Sequence, residues 1–225
     1  NLKALNSGKL DLALSYANVL YAGWNSKEPY QPPNFRNIRF VGYMAEGVVQ
    51  AAVPNKSGIN GWPDLKNKRI NVMGRGTSHF YLVRSILSAW GITYESIEKN
   101  GGRVFCVTYE DAGNMMRNNQ CDAVYMYGGV GPYLMELGTN PGIKFLSIED
   151  KDMDNVLKAP GNEGMVKSIL PKEWYGLDKD VQTISGPMVV AARADLPDDL
   201  VYLITKTMYE DNSMLKEVWG IQKGD

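Results

Sequence analysis

The chain has 225 residues, 44% of them hydrophobic, with 24 Lys and Arg against 25 Asp and Glu for a formal net charge of −1. That length buries a real core as one large domain or two small ones, and so small a charge provides no field for nucleic acid or an anionic membrane. One His and two Cys without ligand spacing exclude His-rich zinc sites and iron–sulfur clusters, so no metal or cofactor is expected.

No apolar run approaches the roughly 20 residues that span a bilayer, and no signal peptide is visible. The chain opens on Asn1-Leu2-Lys3-Ala4-Leu5, a helix already under way, which reads as a fragment whose N-terminus lies upstream. Cys106 and Cys121 admit a disulfide in an oxidising compartment, but two buried thiols are the expectation.

In chain order, residues 1–8 read as the end of an amphipathic helix stopped by Gly8. A strand at 11–14 leads to polar Ser15, Tyr16 and Asn18, placed where a ligand sits at a strand's end. Residues 19–24 read as helix, and 25–37, with three prolines, as loop. Two strands, 38–45 and 48–54, flank Glu46-Gly47, and a loop then carries the chain through Gly61-Trp62-Pro63-Asp64.

Residues 68–91 are the stretch around which the rest is organised. Apolar crowding makes 69–73 a short buried strand. Gly74 and Gly76 permit a sharp turn, and Thr77 or Ser78 caps the helix that follows. Phe80, Val83, Ile86, Leu87 and Trp90 form its apolar face, and Gly91 closes it. Neither cap candidate has Glu three residues later, so no capping box consumes the helix's first N–H groups. A helix start with free N–H donors suits an anion such as a carboxylate, and Arg75 and His79 flank the turn. The pattern is neither a Rossmann nor a Walker fingerprint, so no nucleotide is indicated. An ordinary strand–helix connection is the competing reading.

Strands at 104–108, 121–127 and 143–148 follow, with helices at 109–118 and 132–137. The run at 121–127 is almost continuously apolar and ends in Gly128-Gly129. From 149 to 180 the pattern weakens, with helix over 152–158 and loop elsewhere. Strand character returns over 181–193, interrupted at Gly186-Pro187, before helices at 198–209 and 214–219. The alternation predicts an α/β protein with mainly parallel sheets. Two uninterrupted strands, 48–54 and 185–193, bracket a self-contained block, which predicts two lobes with a cleft. Lobe I comprises 1–53 and 181–225, and lobe II 54–180.

With these segments placed, the sequence resembles the solute-binding proteins of TRAP transporters, specifically the TAXI family, over nearly its whole length. The resemblance is carried by the opening NLKALNSGKLDLAL, by Ser57-Gly58-Ile59 followed by DLKNKRINVM, and by Gly74-Arg75-Gly76-Thr77. It continues through Cys121-Asp122-Ala123-Val124 with Gly128-Gly129-Val130, and through Arg193-Ala194-Asp195-Leu196-Pro197 with Asp199-Leu200-Val201-Tyr202. It implies a type II periplasmic-binding-protein fold whose lobes close on a small carboxylate, either a glutamate-like amino acid or a dicarboxylate. It also implies an extracytoplasmic monomer that delivers its solute to a TRAP-type, ion-driven permease without inserting in the membrane itself.

The resemblance assigns ligand contact to Gly76, Thr77 and Ser78, to Tyr43 in a Gly-Tyr-Met turn, and to Gly128 and Gly129, with Gly74 and Tyr127 as further candidates beside them. Tyr16 and Asn18 lie where the family has Gln and Asp, and Arg75 and His79 also depart from its pattern. The family's first strand with its loop would lie upstream of Asn1, and its final helix is shortened after Trp219.

Each residue has a plainer role beside this one. Tyr43 and Tyr127 suit the edge of a sheet as well as a ligand. His79 lacks a Ser or Cys partner and is read as a pocket-rim or structural residue rather than a base. Glu46 and Asp111 would have to meet to act as acid and base. Trp62 and Trp90 are read as packing. An enzyme would require a nucleophile–base pair or a metal cluster and neither is apparent, whereas a ligand-sensing input domain of a receptor would share the binding machinery.

Overall fold

The computed structural model describes residues 2–28 and 35–210. Its contacts divide the chain into two compact units, Asn1–Gly47 with Gly186–Asp225, and Val48–Ser185. The expected helix at 214–219 and part of the loop at 25–37 lie outside the described residues.

In the first unit, α1 (Leu2–Asn6), β1 (Leu12–Tyr16) and α2 (Ala17–Trp24) come in succession, followed by the first part of β2 (Ile38–Pro54). Leu2, Leu5, Ala13, Phe35, Ile38 and Ala191 make its core. β1 runs antiparallel to the later part of β8 (Val181–Arg193), with Tyr16 opposite Met188. Arg193 closes this pairing through Asp11, 3.0 Å away. The unit also contains α8 (Asp198–Glu210), whose Tyr209 hydroxyl accepts the Tyr43 N–H at 3.0 Å.

The second unit carries the alternating pattern. A 3-10 turn (Trp62–Asn67) leads into β3 (Arg69–Asn71), then α3 (Ser78–Ser88), α4 (Tyr94–Lys99) and β4 (Arg103–Phe105). α5 (Tyr109–Arg117), β5 (Ala123–Gly128), α6 (Pro132–Thr139) and β6 (Ile143–Phe145) continue it, before α7 (Asp150–Lys158) and β7 (Val166–Leu170). β3 is parallel to both β4 and β5, so β5, β3 and β4 lie side by side with their carboxyl ends on one edge. Arg69 locks that arrangement from below, its guanidinium 2.6 Å from Asp122 while its N–H meets the same carboxylate at 2.8 Å. Burial alone would raise the Asp122 carboxyl, but the Arg69 side-chain and backbone bonds outweigh it and hold the group low.

The sheet is mixed, not mainly parallel as expected. β2 pairs antiparallel with β5 and β6, and β7 pairs antiparallel with β8. Parallel pairing joins β3 to β4 and to β5, strands connected by helical crossovers that return the chain in the same direction. Residues 38–54 form one 17-residue strand where two were expected. Neither Glu46 nor Gly47 takes a left-handed φ, so nothing turns the chain there. Likewise Gly186-Pro187 does not interrupt β8. β7 was read as loop because its outward residues Val166, Lys167 and Ile169 are exposed, and one apolar face of five residues is a weak signal.

Candidate functional site

Thr77 is the N-cap of α3, with extended φ and ψ of −81° and 157°, and its hydroxyl accepts the Phe80 N–H at 3.2 Å. One of the expected donors is thereby spent within the helix. The N–H groups of Ser78 and His79, the first two of α3, have no acceptor among the described residues. Gly76 reaches this start with φ +85°, and a Cβ there would meet nothing, so glycine is required for conformation rather than for space. The preceding Met73 holds φ at 64°, a left-handed conformation that costs a non-glycine residue about 1–2 kcal/mol and gathers at functional sites.

The helix starts after β4 and β5, those of α5 and α6, share this edge of the sheet. Thr108 caps α5, accepting the Asp111 N–H at 3.2 Å and donating to the Asp111 carboxylate at 2.7 Å. Asp111 is therefore engaged by its own cap, and in the first unit burial, with Glu46 beside it, raises the Tyr43 phenol. Asn71, buried at the end of β3, stitches the two loops together. Its side-chain carbonyl accepts the Val107 N–H at 3.0 Å and its amide donates to the Val107 carbonyl at 3.4 Å.

The aromatic wall is the part that sequence reasoning missed. The Tyr109 hydroxyl lies 2.6 Å from Nε2 of His79, and the two rings meet edge-on with centroids 5.7 Å apart. Tyr109 stacks on Tyr133 at 4.8 Å, and the Tyr133 hydroxyl donates to the Tyr125 carbonyl at 2.9 Å. His79 also stands edge-on to Tyr127 at 6.2 Å. Burial drives the His79 imidazole down to about 4, only partly opposed by a bond to the Tyr127 main chain, so the ring is neutral at ordinary pH. Burial also raises the Tyr109 phenol, so the pair holds neither a ready base nor a nucleophile.

Tyr127 is buried and its hydroxyl contacts the Met165 sulfur at 3.3 Å, which makes it the floor beneath His79. Gly128 ends β5 and Gly129 follows it, and the Gln50 side chain donates to both their carbonyls, at 3.1 Å and 2.7 Å. Arg75 is exposed at the turn. The structure thus gathers residues 74–79 with 108–109 and 127–129 within the second unit. Tyr16, Asn18 and Tyr43 belong to the first unit: Tyr16 ends β1, Asn18 is buried in α2, and Tyr43 is exposed on β2.

Trp62 and Trp90 pack as expected, stacked at 6.0 Å and 7°, and Tyr125 also stacks on Trp62 at 5.6 Å. Cys106 and Cys121 are free thiols, the first half-buried and the second buried. Among the described residues no helix is long and apolar enough to cross a membrane, and no group of three metal-ligating side chains occurs.

The fold is shared with solved solute-binding proteins. An ancestral arginine-binding protein bound to arginine superposes with a TM-score of 0.54 at 16% identity, covering 97% of this chain and 75% of that one. An ABC uptake transporter substrate-binding protein from Streptococcus pneumoniae, with bound histidine, gives 0.54 at 13% identity over 97% and 71%. The periplasmic aliphatic sulphonate binding protein from Escherichia coli gives 0.53 at 15% identity over 98% and 61%. At these identities the superpositions show the architecture alone, that of a type II periplasmic-binding-protein-like fold. Residues 1–224 match the NMT1-like family, and the chain belongs to it.

Proposed function

We propose that this chain is an extracytoplasmic solute-binding protein that captures a small carboxylate, a glutamate-like amino acid or a dicarboxylate, and delivers it to a TRAP-type, ion-driven permease. The observation that carries this reading is the start of α3. Two consecutive N–H groups, of Ser78 and His79, lack an acceptor among the described residues at the positive end of a helix. They stand at the carboxyl end of a parallel strand, where open α/β sheets bind ligands. The neutral His79 ring adds no fixed charge beside them, so the amides and the helix dipole supply the attraction. The solute-binding folds of the structural neighbours support the class, and the sequence resemblance supports the TRAP-type partner.

The test is direct. Mass spectrometry of small molecules released on denaturing the purified protein identifies the solute, and a thermal-shift panel of organic and amino acids ranks its relatives. Calorimetry on Thr77→Ala combined with Gly76→Val should then show affinity at least about tenfold weaker, from one lost charge-assisted bond and a β-branched residue forced onto a left-handed φ. Unchanged affinity would remove residues 74–78 from the site.

A further inference from the structure

Gln50 lies in the middle of β2, 1% exposed, where a buried amide is tolerated only with its hydrogen bonds made. Its Nε2 donates to the Gly128 carbonyl at 3.1 Å and the Gly129 carbonyl at 2.7 Å. Its Oε1 accepts from the Tyr175 hydroxyl at 2.5 Å, and that hydroxyl accepts the Gly131 N–H at 2.7 Å. Two carbonyls can face only the NH2 end of the amide, so the orientation of the side chain is settled by its partners.

These bonds close a ring around the passage from β5 into α6, which holds Gly128 at the strand's end and Gly129 and Gly131 beyond it. Left alone, such a loop would sample many conformations, because glycine restricts neither φ nor ψ. The peptides there are trans and planar, so a carbonyl turned toward Gln50 turns the N–H of the next residue away from it. The N–H groups of Gly129 and Val130 therefore point away from Gln50, and no acceptor among the described residues takes either. Pro132 has no N–H and that of Gly131 is held by Tyr175, so these two are the loop's available donors.

We infer that Gln50 and Tyr175 are positioning residues that brace the loop of Gly128, Gly129 and Gly131 from behind, presenting the N–H groups of Gly129 and Val130 as a fixed donor pair for an acceptor oxygen at the far end of the solute. β5 is the parallel neighbour of β3, so this second donor pair stands one strand away from the first. The inference rests on the acidic-solute reading: two amide sites on adjacent strands fit a solute with oxygen acceptors at both ends. Burial lifts the Tyr175 phenol to about 12, which keeps its proton on the bond to Gln50. Fixing the loop in advance spares the complex the cost of ordering it.

Hydrogen exchange of the ligand-free protein tests the brace without any solute. In Gln50→Leu and in Tyr175→Phe, protection at the Gly131 amide should fall at least about tenfold while α3 and the β3–β4 pair keep theirs. Gln50→Glu separates a specific brace from mere packing. Its carboxyl retains donor and acceptor while protonated, so Gly131 protection should match the parent at low pH and be lost as the group ionises. Parent-like protection in Gln50→Leu, or no pH dependence in Gln50→Glu, would overturn the brace.

Calorimetry with L-glutamate and with succinate as probes completes the test. Where the parent binds either, Tyr175→Phe should weaken it about tenfold. Unchanged affinity alongside lost protection would overturn the loop's role in binding. Failure of the parent to bind any acid would instead overturn the solute reading, and the exchange result would still decide the brace.

Discussion

The Tyr109 hydroxyl meets His79 Nε2 at 2.6 Å, joining the first turn of α5 to the first turn of α3. The imidazole so held is neutral in the folded chain and titrates near 4, against an ordinary value of 6.5. The unfolded chain therefore takes up a proton that the native one refuses. Stability should fall as pH drops from about 6.5 toward about 4 and show no further loss from this group below that. The contribution is on the order of 3 kcal/mol. Urea unfolding between pH 4.5 and 7 should reveal this slope in the parent and a flatter one in His79→Gln. Equal slopes would show that His79 does not remain neutral.

Trp62 is 1% exposed and stacks with both Trp90 and Tyr125, and its indole N–H finds no acceptor among the described residues. Trp62→Ala should cost about 3–5 kcal/mol through the cavity it leaves. Trp62→Phe should cost less than about 2 kcal/mol, because it also removes a buried donor without a partner. Chemical denaturation distinguishes the two, and similar losses would mean that the N–H is satisfied.

Thr183 is 2% exposed and its hydroxyl donates to the Val49 carbonyl at 2.8 Å. Thr183→Val keeps the shape and removes the donor, and should destabilise by about 1–3 kcal/mol. Thr183→Ser should recover most of the bond. A neutral Thr183→Val in equilibrium unfolding would mean that the carbonyl is satisfied otherwise.

The two thiols should behave differently. Cys121 is 1% exposed and burial raises its thiol to about 11, whereas Cys106 is half-buried. An aromatic disulfide reagent at pH 8 should label one thiol per native chain, at Cys106, and two after denaturation. Peptide mapping that finds label on native Cys121 would contradict its burial.

How much of this was legible in the sequence follows the range of the interactions. The turn and cap at residues 74–78 were readable because glycine conformation and N-capping act over a few residues. The brace was not, because Gln50 and Tyr175 are 125 residues apart and neither belongs to a motif. Tyr109 was read only as the first residue of a helix, since its ring meets His79 through the order of strands and not through spacing. α4 escaped notice because its six residues carry only two buried side chains, Tyr94 and Ile97, too few to show a helical period. The antiparallel course of β2 was equally hidden, because alternation of strands and helices reports crossovers but not the direction of a strand arriving from another unit.

The Thr183–Val49 bond has one more implication. The second unit begins at Val48 and finishes at Ser185, so its entrance and its exit are next-door neighbours along one hydrogen-bonded seam. A block with such adjoining leads is a cassette: it can be exchanged for a relative's equivalent at those two joints without any new linker to bridge a gap.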